Sequence, residues 1–261
     1  MLCRMSSTSA ITLVLDGPLA VATLARAPVN AIDEGWLARL DQALSTVERA
    51  KGVAALLLRS SRRAFCAGAD LALMKRRFDS ARGRVRMVAF VREIQRVYAR
   101  LERLPQVSIA EIGGAALGGG LELALACDLR IAAEEARLGL PEAGLGLLPG
   151  AGGTQRLSRI AGEATAKRLI LRAEVVTGVQ ACALGIVHWA VPATELGKRA
   201  RAIANEIAAL PADALAECKR CISAQREPGV DGYELELAGT ARLLAKAETQ
   251  RRVREFLQKR R

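Results

Sequence analysis

Three consecutive glycines, Gly118, Gly119 and Gly120, run without a break into Leu-Glu-Leu-Ala-Leu-Ala, a segment that can only be helix. Glycine inside a helix costs roughly 0.5–1 kcal/mol relative to alanine, so a triplet there answers a need that a side chain would obstruct. Two needs fit: close approach of another backbone, or an open row of N–H groups at a helix start. The strand-like VSIAEIGG precedes the triplet, which makes the whole a strand, turn and helix in succession. With Gly119 in the first helical turn, Glu122 stands about 60° round the axis and roughly 4.5 Å along it, so one turn offers an N–H donor and a carboxylate together. The neighbours of Glu122 are apolar on nearly every side of that helix, which predicts a buried or cleft-facing acid.

Two other segments carry the same kind of signal. Phe65-Cys-Ala-Gly-Ala-Asp-Leu71 again sets small residues between a strand and a helix, and Pro141-Glu142 opens the Gly/Pro-rich loop PEAGLGLLPGAGGTQRL, which feeds a further helix. Nucleotide-binding signatures are missing. The glycine triplet would need glycine at Leu123 to make G-x-G-x-x-G, Gly144-Leu-Gly146 meets Pro149 at that place, and no P-loop is present.

Around these segments the chain reads as alternating β and α elements with a helical tail. ITLVLDG and LAVATLARA form two strands about a Gly-Pro turn, Asp33 caps a helix over IDEGWLARLDQALSTVERA, and VAALLLRSS is a buried strand. Residues 71–104 read as one strongly basic helical stretch ending at Pro105. Beyond Gly162 everything is helical except a short strand at IVHWAV, where His188, the single histidine, makes a structural hydrogen bond. The 261 residues, 51% hydrophobic, supply a core without linker or low-complexity segment.

Composition bounds the chemistry further. Six dispersed cysteines in a chain of this size indicate reduced thiols, and Cys218-x-x-Cys221 lacks the two further ligands a tetrahedral metal would need, so no metal site is expected. No apolar run reaches the length of a membrane span, and the opening MLCRMSSTSA, which can start at Met1 or Met5, has no signal-peptide core; a cytoplasmic location follows as an expectation. The net charge of +12 calls for an anionic partner. Nucleic acid is one reading of the basic 75–103 segment. The segment carries only three aromatic residues, Phe78, Phe90 and Tyr98, for the stacking that base recognition uses, and most of its charge reads as a solvated face.

The four segments AFCAGADL, GGAALGGGLELALACDLRIA, LPEAGLGLLPGAGGTQRL and REFLQKR, in that order, resemble the enoyl-CoA hydratase/isomerase (crotonase) family over nearly the whole chain. The resemblance implies an α/β fold, a spiral of ββα units over residues 1–199 with a C-terminal helical trimerisation and lid region over 200–261, assembled as homotrimers or dimers of trimers. It implies an oxyanion hole made by the N–H groups of Ala69 and Gly119, catalytic acids at Glu122 and Glu142, and coenzyme A contacts from Arg63, Ala67, Phe256 and Lys259. An acyl-CoA substrate is implied, with coenzyme A as part of that substrate and no separate cofactor. Isomerases of the family generally lack the first acid and decarboxylases vary both, so the pair favours hydration of a trans-2-enoyl-CoA. The family's aromatic residue in the last helices is matched here only by Thr240 and Leu244.

Overall fold

The computed structural model describes residues 10–259; the start-site and leader readings and Cys3 fall on residues 1–9 and lie outside it. Strands β1 (Ile11–Asp16) and β2 (Leu19–Leu24) pair antiparallel about the Gly17-Pro18 turn. Helix α1 (Glu34–Arg49) follows, and its cap is the expected one: Asp33 accepts a hydrogen bond from the Trp36 N–H at 2.8 Å. Its apolar stripe of Trp36, Leu37, Leu40, Leu44 and Val47 is buried.

Strand β3 (Ala55–Ser60) leads to α2 (Leu71–Phe78) and α3 (Ala81–Arg103), so the basic stretch read as one helical run is two helices. The break falls at Asp79-Ser80 because the Ser80 hydroxyl caps α3, accepting from the Gly83 N–H at 3.0 Å. Three of the basic side chains reach α1. Arg77 pairs with Glu34, Arg96 and Arg100 with Asp41, and Arg100 with Glu48, three acids spaced seven residues apart along one helix face.

From β4 (Val107–Ile112) the chain winds in a regular way: β5 (Ala116–Leu117) and α4 (Gly119–Leu125), then β6 (Leu129–Ala133), β7 (Arg137–Gly139), a 3-10 turn (Pro141–Leu145) and α5 (Gly153–Ala161). Each turn places its first strand in a six-stranded sheet ordered β1-β2-β3-β4-β6-β9 and its second in a three-stranded sheet ordered β5-β7-β8. The stretch after β3 completes an earlier turn of the same kind, since Cys66 bridges to Ala116 beside β5. This is a spiral of strand–strand–helix units. From β2 onward the large sheet is parallel, and its strands are near-continuous apolar runs, as a sheet covered on both faces requires.

After α6 (Glu163–Leu171) comes β8 (Val175–Thr177), a strand the sequence reading placed within the helical tail; it pairs antiparallel with β7. Next are α7 (Gly178–Ala183) and β9 (Trp189–Val191). His188 makes the structural hydrogen bond expected of it, its Nδ1 accepting from the Arg130 N–H at 3.1 Å. Helices α8 (Ala193–Ala208), α9 (Ala212–Ala224), α10 (Gly232–Leu244) and α11 (Ala247–Gln258) close the chain. Of these, α8 packs on β2, β3, β4 and β6 and crosses residue 200, so one continuous helix joins the spiral to the helical region. Among the described residues no helix is long and apolar enough to cross a membrane, and no cluster of three metal-ligating side chains exists.

The winding explains one of the three glycines. A Cβ on Gly120 would lie on the Cys66 carbonyl, 2.6 Å from its carbon, where neither backbone can yield. Gly120→Ala should therefore leave little folded protein, or lower the melting temperature by ten degrees or so, a change of about 2–3 kcal/mol. A melting curve checks this.

Candidate active site

Three segments from successive turns of the spiral meet at one place. The first is 66–70. Ile32 binds it on one edge, its N–H donating to the Gly68 carbonyl at 2.9 Å and its carbonyl accepting from the Asp70 N–H at 3.0 Å. Backbone groups alternate in extended chain, so the N–H of Ala69, between those two residues, faces away from Ile32. Gly68 has φ +93°, and a Cβ there would come within 2.8 Å of the Leu117 carbonyl and 3.4 Å of the Gly119 nitrogen. Glycine is thus required both by conformation and by contact. Asp70 then caps α2 and accepts from Arg26 at 2.9 Å, which holds its carboxyl below the usual range.

The second segment is the start of α4. Gly118 donates to the Gly139 carbonyl at 2.9 Å, and Gly119 opens the helix, where N–H groups have no intrahelical acceptor. The Cβ direction of Gly119 points at Gly68 and Ala69: an added carbon would sit 3.8 Å from the Ala69 nitrogen and 2.9 Å from Ile32 Cδ1. Among the described residues no protein acceptor takes the N–H of Ala69 or of Gly119. The Tyr98 hydroxyl, fully buried, donates to the Gly119 carbonyl at 3.0 Å and fixes the plane of that turn from behind.

The third contribution is a pair of carboxylates. Glu122 is only 2% exposed, as its apolar neighbours predicted, and its Oε1 accepts from the N–H groups of Ala151 at 2.8 Å and Gly153 at 2.7 Å. Burial pushes its pKa up to about 7, and Glu142 adds to the rise. Glu142 projects from the 3-10 turn over Gly118, whose Cβ would lie 2.7 Å from Glu142 Oε1; Gly118 itself has φ +52°. The second oxygen of Glu142 is buried with no partner, and burial raises this carboxyl as well. The three glycines thus have three reasons: Gly118 makes room for Glu142, Gly119 for the cleft beside Ala69, and Gly120 for the Cys66 backbone.

A sequence profile of the enoyl-CoA hydratase/isomerase family matches residues 16–261. The chain belongs to that family. It is 36% identical over 254 residues to a probable enoyl-CoA hydratase of Bacillus subtilis, covering 97% of both chains, and 37% identical over 234 residues to the short-chain-enoyl-CoA hydratase of Clostridium acetobutylicum, covering 88% of each. Among solved structures, an enoyl-CoA hydratase from Geobacillus kaustophilus superposes with a TM-score of 0.92 at 28% identity, over 100% of this chain and 98% of that one. Another from Bacillus anthracis gives 0.88 at 33% identity over 96% of each. The spiral of ββα units with its helical C-terminal region is therefore the crotonase fold.

In this family member Ala69, Gly119, Glu122 and Glu142 come together from 66–70, α4 and the 3-10 turn. Ala67 lies in the same segment as Ala69, donating its N–H to the Val29 carbonyl at 3.0 Å, and exposed Arg63 precedes that segment. Phe256 and Lys259 are exposed at the end of α11, which packs on α10 and is tied through Arg252 to the Ala209 carbonyl at 3.2 Å. The amides of Ala151 and Gly153 were not identified from sequence, although GAGGTQ, with glycines ahead of a helix, carried the same signal as the triplet.

Proposed function

We propose that the chain is an enoyl-CoA hydratase, adding water reversibly to a trans-2-enoyl-CoA to give a 3-hydroxyacyl-CoA. The observation that carries this reading is the pair of carboxylates, buried Glu122 and half-buried Glu142, set beside two open backbone N–H groups. A conjugated thioester resists water because attack at Cβ sends charge to the carbonyl oxygen. The N–H groups of Ala69 and Gly119 take that oxygen, and a donor of this kind is worth about 3–4 kcal/mol in the transition state. Glu122, pinned on one oxygen by two amides, orients water and removes its proton as the C–O bond forms; Glu142 delivers a proton to Cα. Water adds across the double bond, and both carboxyls return to their starting states through solvent. Coenzyme A arrives with the substrate, its phosphates meeting basic residues that include Arg63. The reading needs no separate cofactor, and it takes the active form to be a trimer or a pair of trimers.

The experiment separates hydration from isomerisation. Given a trans-2-enoyl-CoA, the protein should lower the conjugated absorbance to an equilibrium value; given a 3-enoyl-CoA, it should not generate that absorbance. Formation of the conjugated thioester from the 3-enoyl substrate, with no loss from the other, would instead make it an isomerase.

The pH dependence follows from the same pair. Glu122 must be ionised to act as base, and its pKa is about 7, so kcat/KM should fall about tenfold per unit as pH drops below that value. A flat profile between about pH 5 and 8 contradicts the assignment. The pair interacts, so the measured midpoint belongs to both carboxyls together.

A further inference from the structure

Behind Glu122 lies a charged side chain with no counterpart in the reaction. Arg156, in the first turns of α5, is 7% exposed, yet every nitrogen of its guanidinium is engaged. Nη1 donates to the Ala151 carbonyl at 2.9 Å, while Nε and Nη2 form a fork on Glu102 Oε2 at 3.1 and 3.0 Å. Glu102, near the end of α3, is held in turn by Arg226 at 2.6 Å, beside the end of α9. The loop 149–153 wraps the guanidinium so closely that a Cβ on Gly152, at φ +101°, would strike it. Gln95 fixes the same loop one residue earlier, donating to the Gly150 carbonyl at 2.6 Å.

Ala151 is where this network meets the site, through two successive peptide units. Its carbonyl accepts from Arg156, and the N–H of the same residue donates to Glu122. A buried guanidinium costs several kcal/mol in desolvation, and apolar packing commonly does as well for stability, so a buried arginine with a partner on each of its three nitrogens is better explained by what it positions. We propose that Arg156 is a positioning residue: anchored by Glu102, it orients the 151–153 loop so that the Ala151 and Gly153 amides hold Glu122 on the reacting water. The proposal rests on the hydration role given to Glu122.

The charged and titratable groups facing Glu122 are Glu142 from the 3-10 turn, Arg156 from α5 and Tyr98 from α3, with Glu102 behind Arg156. Of these, Arg156 is the one that favours the ionised carboxylate.

The test uses the full chain with Arg156→Met, Arg156→Lys and Glu102→Gln. Hydration of a trans-2-enoyl-CoA gives kcat and KM, and an infrared titration of the substrate-free protein, taken as a difference against Glu122→Gln, gives the midpoint of the Glu122 carboxyl. Arg156→Met should lower kcat by on the order of tenfold to a hundredfold with KM little changed. It should also raise the Glu122 midpoint, because a nearby positive charge is removed. Arg156→Lys, which keeps the charge and loses the fork, should restore the midpoint and only part of kcat. Should the Met variant not fold, Glu102→Gln decides, with kcat lowered severalfold at unchanged KM. A folded Arg156→Met with the wild-type midpoint and kcat would overturn the proposal, as would wild-type kcat in Glu102→Gln if that variant has to decide. If the wild type does not hydrate the substrate, it is the functional reading that fails, and the titration still tests the positioning on its own.

Discussion

Glu122→Gln is expected to lower kcat by about 10²–10⁴-fold while acyl-CoA binding is retained, because glutamine keeps the acceptor for the Ala151 and Gly153 amides and loses only the ability to take a proton. The same substitution should make the protein more stable at neutral and alkaline pH. The Glu122 carboxyl has its folded pKa raised from 4.5 to about 7. Its contribution to stability is therefore complete below about 4.5 and is lost as pH rises through 7. A shift of that size corresponds to up to ~3 kcal/mol against the ionised native state, a penalty the neutral amide escapes. Melting temperatures of wild type and variant should lie together near pH 4 and diverge by about pH 8, with the variant higher. A variant that is less stable than wild type at alkaline pH, or that keeps full turnover, removes Glu122 from its assigned role.

Gly119→Pro is expected to cost a comparable factor by a different route. Proline at the first position of a helix keeps the local conformation and lacks the N–H, so α4 should persist while one of two donors is deleted. Losing one such donor costs roughly 10²–10³-fold in kcat. The ring carbons also extend toward Ile32 Cδ1, which a Cβ would approach to 2.9 Å, and that methyl end can rotate away. Circular dichroism should report an intact fold, and the loss should appear in kcat for every enoyl chain length alike, since the donor serves the thioester and not the tail. A variant of normal turnover would show that the Gly119 N–H does not meet the carbonyl.

The parts of the site held by local chemistry were legible in the sequence. Glu122 could be recognised because apolar residues surround it on a short helix, and the burial of that acid follows from helical geometry alone. Gly119 could be placed at a helix start because a strand pattern ran up to it. Asp33 announced its cap. What escaped was tertiary. The strand Val175–Thr177 is three residues long and exists only because β7 offers it an edge, so no periodicity could betray it. The amides of Ala151 and Gly153 reach Glu122 across 29 and 31 residues, and nothing local says which carboxylate they will find. The basic run of 71–104 was read as two alternatives, solvated face or polyanion surface. Most of its basic side chains are exposed, as the solvated-face reading expects, while Arg77, Arg96 and Arg100 clamp α2 and α3 to the acidic stripe Glu34, Asp41 and Glu48, a stripe visible in the sequence at seven-residue spacing. Arg156 and Glu102 could not be paired beforehand, since they stand 54 residues apart.

The most direct measurement is the vibrational difference spectrum of an acyl-CoA isotopically labelled at its thioester carbonyl, recorded bound and free. Two N–H donors on one oxygen polarise the C=O bond, so its stretch should move to lower frequency on binding to the wild type and move back part of the way in Gly119→Pro, where the Ala69 N–H remains. A bound carbonyl that absorbs where the free one does, in protein saturated with ligand, would mean that the Ala69 and Gly119 amides do not share that oxygen.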